Sequence, residues 1–169
     1  LKAITAPSLS RFRGRNFHWY VVLDSAIPTQ VYEELHSIVS GGAQDFVRFV
    51  FVESNSQTRD AIMNAVKALV PPSKRVAVLR IDDDDAIAAD FFDNVFNEIA
   101  KEPDQPAVVS MAKGFALNAP DQEVGNLTYV SHPCNTVFYG KLTELDKVMF
   151  QNHVKWLSVA KRLGYSPVS

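Results

Sequence analysis

Val76-Ala77-Val78-Leu79-Arg80-Ile81-Asp82-Asp83-Asp84-Asp85 is the stretch that decides how this chain is read. Val76 to Leu79 is a short, nearly uncharged and partly β-branched run, which predicts a buried strand. Downstream, Ile87, Phe91, Val95 and Ile99 recur every four residues between Ala86 and Ala100. That spacing predicts an amphipathic helix, its stripe widened by Phe92 and Phe96. The four acids then fall between a strand end and a helix start. One Asp at that place serves as an N-cap, and a second gains slightly from the helix dipole. Neither accounts for four, because adjacent carboxylates repel and raise each other's pKa. A hard divalent cation would offset that repulsion with its own charge.

Upstream, the same alternation repeats twice. Phe17 to Leu23 predicts a strand ending at Asp24-Ser25, and Pro28 opens a helix to about Val39, with Val31, Leu35 and Ile38 on one face. Gly41-Gly42 ends it. Phe46 to Val52 predicts a second strand, and Ser56 to about Val70 a second helix with Ile62, Val66 and Leu69 inward, stopped by Pro71-Pro72. Three strand-helix units in succession imply a parallel sheet with right-handed crossovers. Leu1 to Ser10 reads as part of a helix or an irregular arm. After Lys101-Glu102-Pro103, strands are expected at 107–117, 126–130 and 136–139 without long helices between them. A final helix is expected over about 145–163, broken near Asn152.

With 169 residues, one domain over 1–169 is expected. Its halves are a nucleotide-binding α/β half at 1–102 and an acceptor-side half at 103–169. Lys and Arg number 17 against 19 Asp and Glu, so no nucleic-acid partner is expected. The single cysteine, Cys134, excludes an internal disulfide, and a reducing cytoplasm is the default location. No apolar run approaches a membrane span, so no integral membrane segment is expected. No glycine-rich phosphate-cradling loop occurs.

Arg80-Ile81-Asp82-Asp83-Asp84-Asp85-Ala86 followed by a helix resembles the Arg-Leu-Asp-x-Asp-Asp-Ala signature of the rhamnosyltransferase family of bacterial GT-A-like glycosyltransferases. It also fits the wider Asp-x-Asp motif of GT-A enzymes. Ala6-Pro7-Ser8-Leu9, then Phe17 to Asp24, then Pro28, resemble the family's opening. Phe138 to His153 is loosely similar to its late segment. The resemblance implies a GT-A-like fold: a three-layer α/β/α sandwich with a mixed sheet. It further implies a metal-dependent glycosyltransferase, of hexosyltransferase type, acting on a nucleotide-diphosphate sugar and a sugar or glycan acceptor. Rhamnose as the donor sugar comes from the family's name alone.

Carried over residue by residue, Asp82 would lie nearest the ribose and Asp84 would be the metal ligand, with Asp82 also contributing to the metal. Asp83 would belong to the nucleotide site and Asp85 would face the donor sugar. Asp24 and Arg59 would meet the nucleotide. His153 would be a late metal ligand, and manganese or magnesium would suit these donors. His132 is a weaker ligand candidate, and Cys134 reads as a small packed residue. An inverting transferase needs a carboxylate to take the acceptor's proton; Asp121, Glu123 and Glu144 are candidates, with Glu144 preferred. GT-A domains begin with a strand before the helix that leads into Phe17. The expectation is therefore that the chain lacks that first strand, which would weigh against turnover while leaving the site residues in place.

Rival readings meet different obstacles. A calcium loop starting at Asp82 needs glycine at position 87 and glutamate at 93, where Ile87 and Asp93 stand. An Asp-x-Asp phosphatase would want threonine or valine where Ala86 stands. A non-catalytic nucleotide-binding or scaffold domain of the same fold would keep these features without turnover.

Overall fold

The computed structural model describes residues 5–12, 14–40, 46–82, 85–111, 113–118, 123–128, 135–148 and 156–168. They form two compact units. The first comprises Leu1–Pro71 with Asp82–Ala89, and the second Pro72–Ile81 with Asp90–Ser169.

The first unit starts with helix α1 (Thr5–Ser10). Ala6, Leu9 and, just beyond the helix, Phe12 are almost wholly buried. Strand β1 (Trp19–Asp24) pairs in parallel with β2 (Val47–Val52), in a register that sets Asp24 opposite Val52. Helix α2 (Thr29–Ser40) connects them. Val39 is buried, while Val31, expected on the inner face, is exposed. Tyr32 and His36 of α2 instead pack by their rings on Phe49 of β2. A 3₁₀ turn (Asn55–Gln57) leads into α3 (Thr58–Lys67), which packs on β2 and buries Met63 and Val66. Leu69 is exposed, because the helix stops at Lys67 and the helical spacing no longer holds beyond it.

The second unit is built on a four-stranded mixed sheet in the order β3-β7-β4-β8. These strands are β3 (Arg75–Leu79), β4 (Ala107–Met111), β7 (Asn135–Lys141) and β8 (Ser166–Val168). β7 lies antiparallel to both β3 and β4, and β8 runs parallel to β4. Consecutive residues Val108-Val109 and Val137-Phe138 are all buried. Successive side chains in a strand point to opposite faces, so β4 and β7 are covered on both. Helices α4 (Phe91–Ile99) and α6 (Trp156–Arg162) pack on β4, and α5 (Leu142–Val148) packs on β7 and β3. A hairpin of β5 (Lys113–Asn118) and β6 (Glu123–Thr128) completes the strands of this unit among the described residues.

The structure is a mixed α/β protein, and three expectations need correction. β3 is not seen to continue the parallel β1–β2 pair; its partner among the described residues is the antiparallel β7. Every residue of β3 is half-buried rather than buried, as befits the outermost strand of its sheet. The helix expected from Ala86 begins only at Phe91, and Phe96 is exposed on it.

Candidate functional site

The late start of α4 removes the simplest physical reason for the acid run. Leu79 ends β3, and the chain reaches Asp82 three residues later. The backbone N–H of Asp85 donates to the carbonyl of Asp82 at 3.2 Å, closing a turn between the first and last acids. Asp82 is exposed and Asp85 half-buried. From Asp85 to Ala89 the chain is neither helix nor strand. The N-cap position of α4 belongs to Asp90, whose carboxylate accepts from the Asn94 side-chain amide at 3.1 Å and makes no capping bond. The favourable field of a helix N-terminus fades within its first turn. The N-cap position of α4 is thus Asp90 rather than any of the four consecutive acids.

The segment just after this turn is anchored. Ile87 is buried, and its backbone N–H meets Ser8 Oγ of α1 at 3.4 Å. The segment is not helical despite its alanines, since helix propensity is a weak prior that tertiary contacts override.

Asp24 and Arg59 come to one end of the parallel pair. Asp24 closes β1, and Ser25 N–H donates to the Val52 carbonyl at 2.8 Å, which ties the exits of β1 and β2 together. One Asp24 oxygen accepts the Ala26 N–H at 2.8 Å, a local turn bond. Arg59 is exposed in the first turn of α3, just beyond the exit of β2. The carboxyl end of parallel strands is where α/β proteins bind ligands.

Glu144 has a structural occupation in the second unit. Its Oε2 accepts the Lys141 N–H at 2.6 Å, the returning half of a capping box at the start of α5. The same oxygen lies 3.4 Å from Arg75 Nη1. Arg75 also donates to the Asp104 carbonyl and stands over the Tyr139 ring, whose hydroxyl donates to the Pro103 carbonyl. Burial, and secondarily the charge of Glu144, pushes the Tyr165 phenol up from its ordinary value. Any proton-accepting role for Glu144 shares the carboxylate with these contacts.

Asp83, Asp84, Asp121, His132, Cys134 and His153 lie outside the described residues. Glu123 lies in β6. Among the described residues, no group of three or more His, Cys, Asp or Glu is placed to hold a metal ion. Asp82 and Asp85, as carboxylates at the two ends of one turn, have the donor chemistry a hard cation takes. No described helix is long and apolar enough to cross a membrane.

A family model described as "Putative rhamnosyl transferase" matches residues 1–159. No curated protein and no solved structure matches the chain. The match takes in the acid turn, the exits of β1 and β2, and all but the last ten of the 169 residues. By that match the chain belongs to this rhamnosyl transferase family.

Proposed function

We propose that this protein is a metal-dependent glycosyltransferase of GT-A-like fold that moves a sugar, rhamnose by the family's description, from a nucleotide-diphosphate donor to a sugar or glycan acceptor. The observation that carries this reading is the acid run itself. Four consecutive aspartates follow β3 in a family of this description, and the helix that would have explained them begins too late.

In this proposal Asp82 and Asp84 hold a manganese or magnesium ion, with Asp83 on the nucleotide and Asp85 toward the donor sugar. The ion, when bound, neutralises charge on the diphosphate that departs. Asp24 and Arg59, at the exits of β1 and β2, orient the nucleotide. Arg59 supplies a planar cation for a phosphate or base.

Thermal unfolding with manganese, with and without UDP, dTDP or GDP, is the test. A ligand at about 100 times its Kd adds roughly 2.7 kcal/mol to the native state by mass action. The expected outcome is a metal-dependent rise in Tm with one of the three diphosphates, abolished by Asp84→Ala. No rise with any of them sinks the proposal.

A further inference from the structure

We propose that Ser8 is a positioning residue for the acid turn, acting through the Ile87 backbone to hold Asp85 and, through the bond between Asp85 and Asp82, to hold Asp82 in place for a divalent cation; this rests on the metal reading above. Ser8 is 7% exposed, in the middle of α1. Its hydroxyl donates to the Thr5 carbonyl at 2.9 Å, so its proton is used inside the helix. The oxygen's lone pairs then accept the Ile87 N–H at 3.4 Å.

Ile87 is 4% exposed and belongs to no helix or strand. A buried backbone N–H outside regular structure needs a partner from elsewhere, and here a side chain supplies it. Ser10 also bonds back within α1, to the Ala6 carbonyl at 2.8 Å, but Ser8 is the α1 serine bonded to the segment after the acids. α1 is a firm base for such a contact, since Ala6, Leu9 and Phe12 beside Ser8 are each at most 3% exposed. Two residues before Ile87, Asp85 closes its turn on Asp82. The segment is thus tied at one point to the turn and at another to α1. Two peptide units reach at most about 7 Å, so the anchor at Ile87 limits how far Asp85 can move.

The experiment measures manganese affinity of the full chain by electron paramagnetic resonance, alongside melting and backbone amide exchange. Ser8→Ala is expected to weaken manganese binding about fivefold, the equilibrium equivalent of one ordinary hydrogen bond. It should also speed exchange at Ile87 and Asp85. Ser8→Thr, which keeps the hydroxyl, is expected to restore affinity to within about twofold. If Ser8→Ala lowers Tm but leaves manganese affinity unchanged while Asp84→Ala abolishes binding, Ser8 only packs and this proposal alone falls. Should the parent protein bind no manganese, the metal reading falls and this proposal with it. Were Ser8→Ala not to fold, Ser8→Cys, whose sulfur is a poorer acceptor, gives the same decision.

Discussion

A β-carbon on Gly140 would sit 2.8 Å from Phe138 Cζ and 2.8 Å from Glu144 Oε2. Phe138 is fully buried against the sheet, so its ring has little room to move. Glu144 is held by the Lys141 amide and Arg75. Both neighbours resist movement, so overpacking is the outcome. Gly140→Ala is expected to cost about 1–3 kcal/mol, read as a lower midpoint in urea unfolding. A change below about 0.5 kcal/mol would mean that the ring or the carboxylate gives way. The same cluster shows why residue type alone was a poor guide to Glu144. As a bare acid before a helix it qualifies as a proton acceptor. Its engagement with Arg75, 69 positions earlier in the chain, is decided by strand pairing that no local pattern encodes.

At the scale of elements, α4 carries the clearest test. Asp90 occupies the N-cap position, but its carboxylate is turned to Asn94 instead of the helix amides. An N-cap aspartate that caps is worth about 0.5–2 kcal/mol over alanine. Asp90→Ala is therefore expected to cost no more than about 0.5 kcal/mol. Calorimetry showing a loss of about 1 kcal/mol or more would restore Asp90 as a working cap. Strands β1, β2 and β3 were legible because short β-branched runs between polar turns admit few other readings. Their partners were not. Alternating strands and helices imply a parallel sheet by rule, yet β3 has antiparallel β7 beside it. β8 was missed altogether; three residues with Pro167 at the centre look like a terminus, and such a segment is tolerated on a sheet edge. The start of α4 was misplaced because Ile87 fits the helical spacing, and only the bond to Ser8 shows that it is buried for another reason. Of the candidate site, the acid run and Asp24 stood out in sequence, whereas Ser8 stood out only within the Ala6-Pro7-Ser8-Leu9 stretch that resembles the family's opening, with no sign of its bond to Ile87.

For the whole molecule, two tyrosines set an alkaline limit. Burial raises the Tyr20 phenol above its ordinary value, partly opposed by the cation of Arg48, its partner across the β1–β2 pair. Burial, reinforced by Glu144, raises Tyr165 likewise. Below about pH 10 both the folded and unfolded chains keep these protons, and the stability is complete. Above it the unfolded chain releases protons that the folded chain retains, so stability falls as pH rises through the raised values. Tm is expected to drop above about pH 10, and Tyr20→Phe should flatten the drop; an identical slope in that variant would remove Tyr20 as a cause. The pairing of β3 also bears on how the protein is made. During synthesis Arg75 leaves the ribosome long before Lys141, its partner in the sheet. At about 5–20 residues per second, the 66 residues between them (141 − 75) take some 3–13 s. Throughout that interval a half-apolar strand waits without its neighbour, and the acids just after it keep the nascent segment charged and apart from its copies on adjacent chains. The aspartates proposed to grip a metal in the finished protein would thus guard the growing one against aggregation.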